Sequence, residues 1–260
     1  MSALRRVADL GRDFLAASQF LTRVPIPTVT YQSDSLARAV KFFPILGLIV
    51  GSAAALLHRL LVPHLPRLVA ALLVVAFLVL LTGCLHEDGL ADAADGFGGG
   101  WNRDQILLIF KDSRIGSYGG AALSLSLLAR VLLIASLPLS RVTAYLITAH
   151  VLCRWSTLPL SFYLPPAREV EAGTENAGQG ARIARLTTRG SLLFATLVSV
   201  VIAGFALRMQ SISAILAATL VTLLTGLYYR RRIGGVTGDC FGATNQLTEI
   251  LVYLTGVWRA

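Results

Sequence analysis

Long apolar runs are the feature of this sequence that most restricts its fold. Six runs approach or exceed the length of about 20 residues that a helix needs to cross a hydrocarbon core of about 30 Å, and a seventh is weaker. They cover residues 42–61, 68–85, 118–139, 142–162, 191–207, 212–229 and, less clearly, 243–258. Because lipid leaves backbone polar groups unsatisfied outside helices or closed barrels, these runs predict an all-α, polytopic integral membrane helix bundle. We expect six to seven transmembrane helices in a single domain, 1–260.

Composition supports a chain surrounded largely by lipid. Hydrophobic residues make up 55% of the sequence and charged residues only 14%, whereas soluble domains carry about a quarter charged residues. This excludes an ordinary cytosolic enzyme. The net charge of +9 comes without the basic and aromatic stripe of nucleic-acid binders, so no nucleic-acid partner is predicted. The cysteines Cys84, Cys153 and Cys240 form no CxxC pair and are predicted to be buried free thiols.

The basic residues predict how the chain is oriented. Lys and Arg outside the predicted spans number sixteen on the side of the N-terminus and five on the opposite side. By the positive-inside rule, the N-terminus and the long loops face the cytoplasm. Residues 11–24 are predicted to form a short amphipathic helix on the inner membrane surface, ended by Pro25 and Pro27. No cleaved signal peptide is expected in residues 1–23.

Acidic residues concentrate in one stretch that follows the second predicted span. Six of the fourteen lie within residues 86–117: Glu87, Asp88, Asp92, Asp95, Asp104 and Asp112. If this stretch is helical, Asp88, Asp92 and Asp95 are spaced i, i+4 and i+7 and share one face. Like charges so placed repel one another and need a cation. With oxygen ligands only, the pattern favours Mg²⁺ or Mn²⁺.

Basic residues beside this stretch complete the equipment of phosphoryl transfer. Arg103, Lys111 and Arg114 supply cations for phosphate oxygens. The glycines between the acids allow close approach of the backbone to a ligand. Around residues 169–181 the sequence predicts a mobile cytoplasmic loop.

A second group of polar residues lies near the end of the chain. It contains Asp239, Asn245 and Glu249, and acids near a membrane span tend to mark sites. Two arginines, Arg130 and Arg154, fall inside apolar runs and are expected to bind substrate or to pair with a carboxylate in the bundle. Of these, Arg154 is the better candidate for function.

Three motifs resemble those of a known family. HEDGLADAADGFGGG, FKDSRIGSYGG and GGVTGDCFGATNQLTE are similar to motifs of the membrane-embedded cobalamin synthase family, the adenosylcobinamide-GDP ribazoletransferases. The segments FLTRVPIP and FFPILGLIVG also resemble this family, so the similarity runs from about residue 14 to 255. The acidic motif together with KDSRIG is highly specific.

The resemblance implies a reaction and a set of site residues. The substrates would be adenosylcobinamide-GDP and α-ribazole or its 5'-phosphate, and the products adenosylcobalamin or its phosphate and GMP, with Mg²⁺ required. The residues expected to take part in catalysis are Asp88, Asp92, Asp95, His86, Lys111 and Arg114. Substrate binding is expected of Arg103, Asp112, Ser113, Arg154 and Asn245, and metal binding of Glu87, Asp88, Asp92, Asp95 and Asp239. The general base, the phosphorylation of the acceptor and the oligomeric state, including a homo-oligomer, stay open.

Three other classes of membrane protein fit the acidic motif less well. CDP-alcohol phosphotransferases have an Ala-Arg dipeptide soon after their Asp-Gly pair, whereas here Gly89 is followed by Leu-Ala-Asp. Prenyltransferases carry two Asp clusters, and the second patch here holds only Asp239. A cation or proton transporter would use intramembrane acids as a relay, but the sequence has no duplicated motif of the kind found in transporter halves.

Overall fold

The computed structural model describes residues 3–26, 35–168 and 187–258, and within them the fold is all-α, as predicted. The loop expected around residues 169–181 lies outside the described residues. The helices in chain order are α1 (Ala3–Leu21), α2 (Ser35–Ala39), α3 (Phe43–Leu61), α4 (Arg67–Thr82), α5 (Leu85–Gly99), α6 (Arg103–Ile109), α7 (Ser117–Ser136), α8 (Val142–Trp155), α9 (Thr157–Tyr163), α10 (Arg189–Leu207), α11 (Ser211–Ile233) and α12 (Gly238–Trp258). Short 3₁₀ turns, Val40–Phe42 and Arg208–Gln210, precede α3 and α11.

Several of these helices are long and apolar enough to cross a membrane, which confirms the membrane helix bundle. In the described part of the chain, three stretches meet both criteria: Val40–Leu61, Ser117–Ser136 and Arg189–Ile233, the last of which contains α10 and α11. A fourth is added if α4 and α5 together form one bent span. The expected six to seven crossings stay a prediction. Large apolar side chains on the outer surface, such as Leu80 and Phe205, are more than 70% exposed, as expected of side chains that contact lipid.

The run at residues 68–85 ends earlier than predicted because the backbone turns there. Gly83 and Cys84 adopt φ values of +64° and +60°, in the left-handed region where a helix cannot continue. The chain bends by 89° and α5 begins at Leu85. Since α5 runs perpendicular to α4, its acidic residues lie beyond the predicted span at residues 68–85.

The run at residues 142–162 is also divided. The helix α8 ends at Trp155, and α9 begins at Thr157 with Pro159 in its first turn, where the missing N–H of proline costs no hydrogen bond. The Ser156 hydroxyl at the junction donates to the Cys153 carbonyl at 2.6 Å. The predicted run at residues 142–162 is thus observed as two helices that meet at Ser156.

The N-terminal helix forms as expected but starts earlier and packs on the protein. It spans Ala3–Leu21 and buries Ala16, Ala17 and Leu21 in the core. Its Asp13 is buried and accepts from Lys41 Nζ at 3.0 Å. Part of the amphipathic face predicted to lie on the membrane therefore lies on the helix bundle.

The central helices of the bundle are α8 and α12. The helix α8 packs most extensively against α3, and α12 packs against α5, α8 and α11. Cys153 and Cys240 are buried free thiols, as predicted, whereas Cys84 is exposed at the turn between α4 and α5.

Candidate active site

The helix α5 arranges the acidic stretch as its spacing predicted. Residues Leu85–Gly99 form one helix, so Asp88 and Asp92 lie one turn apart on the same face. Asp88 is exposed and Asp92 half-buried. Apolar and small residues of the opposite face, including Leu90 and Ala93, are buried. The helix thus presents carboxylates on one side and packs on the other.

A close crossing of two glycines brings a third carboxylate to this face. A Cβ atom on Gly89 would lie 3.1 Å from the Cα of Gly242, and one on Gly242 would lie 3.0 Å from the Cα of Gly89. Both distances are too short for ordinary contact, so only glycine allows α5 and α12 to approach so closely. This crossing places Asp239, in the first turn of α12, beside Asp88 and Asp92.

The electrostatics of these carboxylates indicate that a cation is needed. Burial and the charges of Asp88, Asp239 and Asp95, in that order, raise the pKa of Asp92 to about 7. Burial also raises the pKa of Asp239, against the hydrogen bond that its carboxylate accepts from Thr237 Oγ1 at 3.1 Å. Carboxylates that repel one another at neutral pH form a site that binding of a divalent cation would relieve.

Asp95, predicted to bind metal, uses both oxygens to hold the start of α7. Its Oδ2 accepts from the Gly116 N–H at 2.6 Å and its Oδ1 from the Gly119 N–H at 2.8 Å. A carboxylate at this end of a helix satisfies free N–H groups and stabilises the helix dipole. We call Asp88, Asp92 and Asp239 the open carboxylates, because their charges act on one another and they do not hold a helix end as Asp95 does.

Glu87, also predicted to bind metal, is 4% exposed and lies in an ion-pair network. Its Oε1 accepts from Arg130 Nη1 at 2.6 Å and from Gln246 Nε2 at 3.2 Å. Arg130 also donates from Nε to Glu249 Oε1 at 3.0 Å. Arg130 is 1% exposed, so its guanidinium joins α5, α7 and α12 inside the bundle.

This network was only partly foreseen from the sequence. A carboxylate partner for Arg130 was expected because an arginine within an apolar run needs a counter-charge. The sequence did not predict that the partners are Glu87 and Glu249. It also did not predict Gln246, whose Oε1 accepts a hydrogen bond from Ser126 Oγ at 3.2 Å. The signal for Gln246 was its place between Gly242 and Glu249 at helical spacing on one face of α12.

The predicted basic residues have different environments. Arg114 is exposed and donates from Nη2 to Asp112 Oδ2 at 2.6 Å, which helps to lower the pKa of Asp112 to about 2. Lys111 is exposed on the same segment. Arg103 donates to the carbonyls of Ile233 and Ala167, so its guanidinium joins chain segments at the ends of α6, α9 and α11.

The remaining predicted residues divide between a cavity and the interior. Ser113 lines a cavity together with Asp88 and Asp92. His86, Arg154 and Asn245 are buried. Burial and the charge of Arg154 lower the pKa of His86 to about 3, so this imidazole is neutral and weakly basic. The expected part of His86 in catalysis stays a prediction.

A second polar cluster inside the bundle lies among the described residues. One potential ligand atom from each of His150, Cys153 and Glu249 lies within 4.8 Å of the others. Arg154 Nη1 is 3.1 Å from His150 Nδ1. Since a guanidinium only donates, Nδ1 accepts and Nε2 carries the proton, so Nε2 is not free to bind a metal. The described hydrogen bonds of His150 and Cys153 stay within α8, and His150 Nε2 lies 3.9 Å from Glu249 Oε1 of α12, beyond hydrogen-bond distance.

Comparison with known proteins places the chain in a family. The family profile described as "Cobalamin-5-phosphate synthase" matches residues 13–257. The chain is 42% identical over 262 residues to an adenosylcobinamide-GDP ribazoletransferase of Azorhizobium caulinodans, covering 97% of this chain and 96% of the relative. It is 38% identical over 278 residues to one of Polaromonas sp. strain JS666, with 95% and 97% covered. No solved structure matches. On this evidence the chain belongs to the cobalamin-5-phosphate synthase family.

Proposed function

We propose that this protein transfers the adenosylcobinamide phosphate group from adenosylcobinamide-GDP to the 3'-hydroxyl of α-ribazole or its 5'-phosphate. The observation that carries this proposal is the set of open carboxylates, Asp88, Asp92 and Asp239, in a chain of this family. The site would face the cytoplasm at a bacterial inner membrane. The excess of basic residues on the side of the N-terminus supports this orientation.

The reaction exchanges a phosphoanhydride bond for a phosphate ester bond. The oxygen of the ribazole hydroxyl forms a bond to the phosphorus that carries the cobinamide. The bond from that phosphorus to the bridging oxygen of the pyrophosphate breaks, and this oxygen leaves with GMP. The hydroxyl proton is released to a base or to solvent. The products are adenosylcobalamin, or its phosphate, and GMP.

The donor chemistry of the open carboxylates suits a magnesium ion. Asp88, Asp92 and Asp239 supply oxygen ligands, and the raised pKa of Asp92 records a local excess of negative charge that a divalent cation would offset. When bound, the ion would neutralise charge on the pyrophosphate oxygens. Asp95 holds the N-terminus of α7 against this face through the amides of Gly116 and Gly119.

Exposed cations complete the binding of the donor. Lys111 and Arg114 lie on the segment between α6 and α7 and are open to solvent. Asp112 accepts hydrogen bonds from Nε and Nη2 of Arg114, which orient the guanidinium at the surface. These cations would bind the non-bridging phosphate oxygens.

The test of this function is release of GMP by the purified protein in lipid vesicles. We expect GMP to appear from adenosylcobinamide-GDP only when ribazole and Mg²⁺ are both present. GMP release without ribazole, or no turnover with both, would contradict the transferase. Metal-dependent ion uptake into the vesicles without ribazole would instead support a transporter.

Magnesium affinity should depend on pH because a proton competes for Asp92. With a pKa of about 7, the carboxyl is mostly ionised at pH 8 and mostly protonated at pH 6. We therefore expect Mg²⁺ to bind about tenfold more weakly at pH 6 than at pH 8. The measurement is the Mg²⁺ concentration that gives half of the thermal stabilisation at each pH. The same affinity at both values would contradict the assignment of Asp92.

A further inference from the structure

A cavity adjoins the carboxylates between α4, α5 and α7. Its volume is about 210 Å³, and the segment between α6 and α7 borders it through Ser113 and Ile115. One part of its wall is acidic, formed by Glu87, Asp88 and Asp92 on α5. The other part is apolar and includes Val79, Leu123 and Leu127.

The volume limits what the cavity can bind. Pockets for drug-sized ligands measure about 300–1,000 Å³, so 210 Å³ is too small for a corrinoid. It suits one ring system with a small polar extension. Because it lies beside the carboxylates assigned to the metal, this fragment belongs to a reactant.

Glu87 provides a polar contact for such a fragment. Arg130 and Gln246 both bind its Oε1, whereas its Oε2 is buried and has no hydrogen-bond partner. A buried acceptor without a donor costs about 1–3 kcal/mol. Glu87 lines the cavity, and a ligand hydroxyl that reaches its carboxylate would supply that donor.

The two walls together distinguish between the reactants. A guanine ring carries carbonyl and ring-nitrogen acceptors along its edge, and an apolar wall would leave them unpaired. A lipid chain would match the leucines but would place hydrocarbon against three carboxylates. The ribazole acceptor carries an aromatic base with a methylated hydrocarbon edge and a ribose with hydroxyl donors, which match the apolar and the acidic wall respectively.

We propose that this cavity is the acceptor subsite, with the aromatic base of ribazole against Val79, Leu123 and Leu127 and a ribose hydroxyl donating to Glu87. Glu87 is then a substrate-binding residue rather than a metal ligand. This inference rests on the proposed transferase function. It explains why an acid next to Asp88 is held by a buried arginine instead of facing the open carboxylates.

A pair of adjacent leucines tests the apolar wall. Leu127 lines the cavity, whereas its neighbour Leu128 is 54% exposed on the outer surface of α7. We expect L127W to raise the KM for ribazole about tenfold or more, with the KM for adenosylcobinamide-GDP unchanged. L128W should leave both values unchanged. An unchanged ribazole KM in L127W, or an equal rise in both KM values, would overturn the subsite.

A second measurement uses the wild-type chain and does not depend on the folding of a variant. Cys84 lines the cavity and is exposed, whereas Cys153 and Cys240 are buried. Ribazole alone, at about ten times its Kd, should slow alkylation of Cys84 about tenfold, and GMP at the same excess should not. C84S identifies the labelled thiol. Protection by GMP only, or no protection by ribazole, would overturn the subsite.

The two proposals fail differently. If the wild-type protein releases GMP in a ribazole-dependent reaction but ribazole does not protect Cys84, the transferase stands and the subsite is wrong. If no ribazole-dependent turnover is found, the transferase itself is wrong.

Discussion

Asp92→Asn is expected to lower turnover by about 100- to 1,000-fold while the protein stays folded in the membrane. The amide keeps the shape of the side chain but removes the charge that we assign to the metal. Burial and the charges of Asp88, Asp239 and Asp95 raise the pKa of Asp92, so the other three carboxylates all act on it. The measurement is GMP release at saturating Mg²⁺ in detergent.

The same variant should be more heat-stable than the wild type when metal is removed. The folded-state pKa of Asp92 is about 7, above its usual 3.8, so the folded protein binds this proton more tightly than the unfolded chain. Stability therefore falls as pH rises from about 4 to about 7, and the full cost is present at pH 8. After allowance for solvent screening of this half-buried group, we expect D92N to gain about 2–4 °C in Tm at pH 8 with a chelator.

The matched control for both measurements is Asp104→Asn. Asp104 belongs to the same acidic stretch, but its side chain is 91% exposed. In the described residues its one salt bridge is to Arg103 Nη1, at 3.5 Å. D104N should change neither turnover nor Tm. Near-normal turnover of D92N at saturating Mg²⁺ would reject Asp92 as a metal ligand.

Arg130→Met is expected to have the largest effect on stability. It removes the guanidinium between Glu87 and Glu249 and leaves two buried carboxylates without their counter-charge. Breaking a buried ion pair from one side typically costs about 3–5 kcal/mol. For a chain of this length we expect Tm to fall by about 10 °C or more, measured by thermal unfolding in detergent.

Two variants distinguish charge from bulk in this result. Arg59→Met changes an exposed arginine near the end of α3 and should leave Tm unchanged. Adding Glu87→Gln and Glu249→Gln to Arg130→Met should recover part of the lost stability, because the network then holds no unpaired charge. A difference of 2 °C in Tm corresponds to about 1 kcal/mol or less for a chain of this length. A Tm of R130M within 2 °C of the wild type would therefore contradict the role of the network.

The network also links stability to the site. Arg130 holds Glu87, which precedes Asp88 on α5, and Glu249 lies on the same face of α12 as Gly242 and Asp239. The ion pairs thus fix the helices that carry the open carboxylates. Burying charge in this way is costly, and here it secures the position of two helices whose acidic faces repel one another.

Much of the architecture follows from the order of residues alone. Long apolar runs need helices because lipid offers no other partner for the backbone, and the described structure is all-α with several long apolar helices. The spacing of Asp88 and Asp92 predicts a shared face because helical period is a local property. The need of an intramembrane arginine for a carboxylate was likewise readable at Arg130.

What the carboxylates do was decided by contacts between distant segments. Asp95 and Asp88 look equivalent in the sequence, yet Asp95 binds the amides of Gly116 and Gly119 and Asp88 is left open. Glu87 turns inward because Arg130, 43 residues later, meets it inside the bundle. Asp239 joins Asp88 and Asp92 because two glycines, Gly89 and Gly242, let α5 and α12 cross closely.

The sequence by itself therefore determined the class of fold, the helix that carries the acids and the family. The tertiary structure decided which acids stay open and which are engaged, and where an apolar wall meets them. The physical reason is that helical period and burial in lipid depend on neighbouring residues, whereas the partner of a charge depends on which helices pack together.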